Sequence, residues 1–104
     1  MDGLQAGIYR LYDETDGASF LGFSHNIRGS LKRLRFELTL NACPCRPLQE
    51  AWNLRGGLRS EVLEEFRPEG MSPEEAEAHL TARLLAWKRK LGPAARLLQT
   101  PAGV

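Results

Sequence analysis

Residues 7–27 read GIYRLYDETDGASFLGFSHNI, and this stretch decides the fold. Gly7 to Tyr12 alternates residues that favour strands, and Ser19 to Phe23 does the same, while Asp13, Glu14, Asp16 and Gly17 lie between them. The pattern predicts a β-hairpin whose loop is longer than a two-residue turn. Ser24 and Asn26 then offer side-chain oxygens to cap a helix in which Ile27, Leu31, Leu34 and Leu38 recur at spacings of four, three and four. That face is core. Arg28, Lys32 and Arg35 recur at four and three on another face and predict a cationic stripe in solvent.

Downstream, the segment Asn41 to Arg46 contains Pro44 and reads as a loop, and Pro47 suits the first turn of a short helix whose inner face carries Leu48, Ala51 and Trp52. Gly56 and Gly57 end it. Leu58 to Glu64 is bounded by glycines and by Pro68 and predicts a third strand. Ser72, Pro73 and Glu75 form a capping-box sequence that opens a long helix with acids in its first turn and Lys88, Arg89 and Lys90 in its last. Leu80, Leu84, Trp87 and Leu91 make its buried stripe, and Gly92-Pro93 ends it. One further helical turn is expected over Ala94 to Gln99, followed by a frayed tail to Val104. The expected architecture is one α/β (α+β) domain over residues 1–104: a core of about 7–91, a tail over 92–104, and three antiparallel strands covered by helices.

Composition agrees with a folded domain: 104 residues, 42% hydrophobic and 26% charged, with a net charge of +1. The charge is unevenly spread. From Arg28 to Arg46 there are five basic residues against one acid, from Glu50 to Ala78 eight acids against three basic residues, and from His79 onward five basic residues and no acid. No apolar run approaches the roughly 18 residues of a membrane span, and the N-terminus lacks the pattern of a secretory signal, so no membrane partner and a cytoplasmic location are expected. Cys43 and Cys45 flank Pro44, a spacing that strains a disulfide, so both are expected as free thiols. With His25 and His79 they supply four soft-metal ligands, but the spacing is not that of a structural zinc site.

Gly7-Ile8-Tyr9, the glycine-closed Phe20-Leu21-Gly22, then Ser24 and Asn26-Ile27 at the start of a helix, make an ordered set. Leu48-Gln49 with Trp52-Asn53 and Gly56, Glu61-Val62-Leu63-Glu64, and Trp87 extend it. Over Gly7 to Leu91 the chain resembles the GIY-YIG nucleases, in particular their phage-type and bacterial members. The resemblance implies a small domain with a three-stranded antiparallel sheet that hydrolyses DNA phosphodiesters. It also implies the tools for that reaction: two tyrosines, an arginine on the phosphate, often a histidine, and a glutamate holding a divalent cation.

Carried over position by position, the resemblance implies an eroded site. Tyr9 keeps the first tyrosine, whereas Phe20, Ser30, Cys43 and Leu84 stand where it places the second tyrosine, the arginine, the histidine and the metal-binding glutamate. Glu77, two helical turns from Leu84, would miss that metal position by about 10 Å. Arg33, three residues after Ser30 on the same helix, is the one candidate to replace the arginine. The reading is a domain with no bound metal or cofactor, not an active nuclease, that contacts DNA or RNA through Arg28, Lys32, Arg35 and Arg46. Its alternatives are a magnesium-dependent endonuclease with a displaced site, and a protein-interaction module recognised through the acidic segment Glu61 to Glu77 or the tail. In any of the three, Tyr9, Phe20, Ser30, Cys43 and Leu84 are expected to converge on one cleft.

Overall fold

The computed structural model describes residues 5–15 and 17–98. The hairpin forms as its alternation requires: β1 (Ala6–Tyr12) and β2 (Ser19–Ser24) pair antiparallel from Gly7↔Ser24 to Tyr12↔Ser19. Asp13 holds the connecting loop, its carbonyl accepting from the Gly17 amide at 3.1 Å and one carboxylate oxygen from the Thr15 amide at 2.8 Å. β3 (Arg59–Phe66) adds antiparallel to the other side of β1. The helices are α1 (Ile27–Thr39), α2 (Arg46–Arg55) and α3 (Pro73–Leu91). α3 starts on the expected capping box, with the Glu75 amide donating to Ser72 Oγ at 3.1 Å and the Ser72 amide to Glu75 Oε1 at 2.9 Å.

The three antiparallel strands are those the sequence predicts, and a fourth joins them. β4 (Ala95–Leu97) runs parallel to β2 and completes a sheet of order β3-β1-β2-β4. This corrects both the helical turn expected over Ala94 to Gln99 and the placing of the core's end at Leu91. Gly92, at φ 83°, breaks α3 in a conformation open to glycine, and the open edge of β2 then offers the next residues better partners than a one-turn helix has. The Ser19 amide donates to the Ala94 carbonyl at 3.2 Å and the Leu98 amide to the Leu21 carbonyl at 2.7 Å. The tail over Thr100 to Val104 lies outside the described residues.

Alternation along the strands sends side chains to two cores. Tyr9, Leu11 and Phe20 face α1 and α2, packing with Ile27, Leu38, Leu48, Ala51 and Leu58. Ala6, Ile8 and Leu21 face α3, packing with Leu80, Leu84 and Ala95. Of the eight large side chains withdrawn from water, Leu11, Ile27, Leu38 and Leu48 serve the first core, and Ile8, Leu21, Leu80 and Leu84 the second. At about 1.5–3 kcal/mol for each buried side chain, the two cores carry comparable weight and neither helix layer is dispensable.

A bulge in β3 ties the second core together. Ile8 pairs with Glu64 and Tyr9 with Val62, so Leu63 is the extra residue, and Leu63 and Glu64 both reach the α3 side. There the Glu64 carboxylate accepts from Arg83 Nε at 2.9 and 3.0 Å and from Trp87 Nε1 at 3.0 Å. Burial alone would raise this carboxyl, but the bonds from Trp87 and Arg83 outweigh it and hold the group below the usual range. Among the described residues no helix is long and apolar enough to cross a membrane.

Candidate functional site

The GIY strand sets Tyr9 toward α1, and the ring lies across Gly22, its partner in the hairpin register. A Cβ on Gly22 would stand 2.5 Å from both Tyr9 Cζ and Oη, so the glycine that closes the second strand is what gives the ring its seat. Tyr9 is 6% exposed. Its phenol is pushed up to about 12, first by burial and then by the neighbouring Cys43 and Cys45, so its proton is harder to remove than that of an exposed tyrosine.

A cleft of about 320 Å³ opens at Tyr9. Ser30, Arg33 and Glu37 of α1 form one wall, and Cys43 and Cys45 of the α1–α2 loop form the other, with Leu34, Leu48 and Leu98 as apolar surface. Ser30 Oγ lies 2.5 Å from Ser24 Oγ, and Ser24 Oγ also accepts from the Asn26 amide at 2.9 Å, so this hydroxyl pair fastens the start of α1 to the end of β2. Burial raises the Cys43 thiol, against a bond from the Cys45 amide that lowers it, and the nearby Cys45 and Glu37 raise it further. The thiol is a poor substitute for a histidine base.

Of the five positions expected to converge, Tyr9, Ser30 and Cys43 do. Phe20 shares their sheet face and apolar cluster but turns toward Pro47, Ala51 and Leu54 of α2 rather than into the cleft. Leu84 does not join them at all. It is 0% exposed in the second core, with the sheet between it and Tyr9. The helical stripe predicted its burial correctly, but the face is the other one, and the assignment of Leu84 to a metal position in this cleft is not supported.

The basic residues separate into two kinds. Arg28, Lys32 and Arg46 are exposed and make no ion pair among the described residues. Arg35, also exposed, is engaged: Nη1 donates to Ser60 Oγ at 3.1 Å, and its guanidinium lies 5.9 Å from the Trp52 ring centre. Arg33 is the cation that faces Tyr9, and only its i+3 spacing from Ser30 pointed there in the sequence. Its Nε sits 3.4 Å from Glu37 Oε2, so the cleft presents a paired charge rather than a free one.

The divalent cation that the resemblance implies does not fit these residues. No three His, Cys, Asp or Glu side chains among the described residues form a group able to hold a metal ion. Glu64, the carboxylate beside Trp87, is on the α3 side and occupied by Arg83 and Trp87, and Glu37 faces Arg33. A hard cation seeks several oxygens, and the cleft offers one carboxylate beside two thiols. His25, 3.8 Å from Glu77, and His79, edge-on to Phe66, lie apart from the cysteines and complete no zinc set.

A hairpin, a capped helix beside its second strand, a third strand on the far side of the first and a long closing helix make up the fold of a GIY-YIG nuclease catalytic domain. Among solved structures, the catalytic domain of the homing endonuclease I-TevI matches at a TM-score of 0.71 and 18% identity, covering 91% of this chain and 99% of that one. A point mutant of the catalytic domain of intron endonuclease I-TevI matches at 0.67 and 20% identity, over 85% and 84% of the two chains. At these identities what is shared is the fold. No family model matches the chain, and no curated protein matches it in sequence.

Proposed function

We propose that this chain is a GIY-YIG-fold domain that does not hydrolyse DNA and that contacts nucleic acid weakly, without sequence preference, through the exposed cations of α1 and the start of α2. One arrangement carries the first half: where the fold would assemble its chemistry, Tyr9 is buried, Ser30 is tied to Ser24, and the cleft's carboxylate, Glu37, faces Arg33, with no metal-holding group among the described residues. Hydrolysis needs charge neutralised on the phosphate and a water made nucleophilic, and single groups of this kind are commonly worth about 10²–10³ in rate. Such losses act on one transition state.

The purified protein is therefore expected to leave plasmid DNA intact with magnesium or manganese. Cleavage that co-elutes with the protein and disappears in Tyr9→Phe would replace this reading with that of a nuclease using a displaced site built on Arg33 and Glu37. Cleavage that persists unchanged in Tyr9→Phe marks a contaminant.

For the second half, Arg28 and Lys32 are the residues to test, because both are exposed and no ion pair among the described residues competes for them. Fluorescence anisotropy with a labelled duplex is expected to give a Kd in the non-specific range of about 10⁻⁴–10⁻⁶ M that weakens as salt rises. Replacing both residues with alanine should flatten the log–log salt slope by about 2, one phosphate contact each at about 0.9. An unchanged slope and affinity in the double variant would move the contact surface elsewhere. A stable protein complex free of nucleic acid would favour the interaction-module reading instead.

A further inference from the structure

The loop between α1 and α2 carries two sulfur atoms that the proposed function leaves unused. Cys43 and Cys45 are free, both half-buried, both packed against the cluster that holds Leu34, Leu48 and Leu98, and both on the wall of the same cleft. One residue, Gln49, fixes the loop at both ends, through its side chain at Cys43 and its backbone N–H at Cys45. The Cys43 amide donates to Gln49 Oε1 at 3.1 Å, and the Gln49 amide donates to the Cys45 carbonyl at 3.0 Å. Pro44 locks its own φ between them, and the Cys45 amide bonds toward the Cys43 sulfur. The loop is thus set in place before any ligand arrives, and a ligand gains from not having to order it.

We propose that Cys43 and Cys45 form a two-thiolate site for a soft monovalent cation, copper(I) being the class member to test. Ligand type points to the class: thiolates select soft cations, and carboxylates and waters suit magnesium. Coordination number narrows it. Among the described residues no third His, Cys, Asp or Glu completes a metal-holding group, Glu37 of the same cleft being paired with Arg33, which disfavours tetrahedral zinc and leaves the two-ligand geometry that copper(I) accepts. A disulfide would pull the two sulfurs to about 2.05 Å, which a Cys-Pro-Cys turn resists. A bridging cation instead spans two metal–sulfur bonds, roughly 4–5 Å. The apolar wall of leucines disfavours a hydrated competitor. On binding, each thiol releases its proton to solvent and each sulfur donates a lone pair to the cation, with no electron transferred.

The test is an anaerobic titration of the reduced chain with copper(I) against the coloured chelator bicinchoninate. Expected are one copper withdrawn per chain, a sulfur-to-copper absorption in the ultraviolet, and loss of both in Cys43→Ser and in Cys45→Ser. X-ray absorption on the wild-type complex should show two sulfur neighbours and no nitrogen or oxygen, a readout that stands even where a serine variant fails to fold. The proposal is overturned if the chelator keeps its copper, if folded serine variants compete as the wild type does, if the copper has nitrogen or oxygen neighbours, or if one copper joins two chains. Retention of zinc in preference to copper overturns it too.

Discussion

Replacing Gln49 with alanine is expected to lower the thermal midpoint by roughly 10 °C, although the residue lies on a short surface helix and does not line the Tyr9 cleft. Gln49 is 7% exposed, and its amide joins three segments. Oε1 accepts from the Cys43 amide, while Nε2 donates to the Leu38 carbonyl at the end of α1 and to Asn53 Oδ1, each at 3.0 Å. Asn53 passes the link on to Asn41 Oδ1 at 3.0 Å, holding a residue whose φ of 58° lies in the left-handed region. Truncation strips the Cys43 amide of this bond and takes one of two from the Leu38 carbonyl, which keeps the Asn41 amide. An orphaned buried polar group costs about 1–3 kcal/mol, so a total near 2 kcal/mol is expected. In a domain of this size that corresponds to about 4–8 °C per kcal/mol. Thermal unfolding followed by circular dichroism decides it, with the exposed neighbour Glu50→Ala as reference. A midpoint equal to that of the reference would mean that the amide network is ornamental.

This network gives a physical reason for a block that the sequence offered only as a likeness. Leu48-Gln49 with Trp52-Asn53 was part of the family resemblance, and its glutamine and asparagine bind the end of α1 to α2 while Leu48 fills the first core. Other features were legible from local chemistry alone. The hairpin follows from alternation around a polar loop, and the start of α3 follows from Ser72, Pro73 and Glu75, because each depends on residues a few positions apart. β4 and the β3 bulge were not legible. Three residues of a parallel edge strand have no periodicity to detect, and they become a strand only because β2 presents unpaired backbone groups. The bulge is likewise a property of the pairing with β1.

The site was legible in the same uneven way. Tyr9, Ser30 and Cys43 meet in one cleft although the first and the last are 34 positions apart, as the family resemblance implies, whereas Phe20 and Leu84, expected with them, do not. Arg35 belonged to a cationic stripe by spacing, yet Ser60 and Trp52, far along the chain, draw it aside. Helical spacing says which residues share a face of the helix. It is silent on which side of a sheet that helix docks, and Leu84 is where the silence mattered.

Leu84→Glu turns that ambiguity into an experiment with the largest effect expected for this chain. In the second core the new carboxylate would stand among the buried Ile8, Leu21 and Leu80. A buried unpaired charge costs several kcal/mol on top of the lost leucine packing, against a total stability of about 5–15 kcal/mol for a typical domain. The variant should be unfolded or close to it at 25 °C, and magnesium should not rescue it. Leu84→Ala gives the graded form, with a loss of about 2–5 kcal/mol in urea unfolding, whereas Leu54→Ala, at a residue 82% exposed on α2, should change stability by less than about 0.5 kcal/mol. If Leu84 instead occupied the metal position of the Tyr9 cleft, the glutamate would face a polar opening, the fold would survive, and magnesium would raise its melting temperature by mass action. A folded, magnesium-stabilised Leu84→Glu protein would overturn the placement of α3 against the Ile8 face and return Leu84 to the metal position of the Tyr9 cleft.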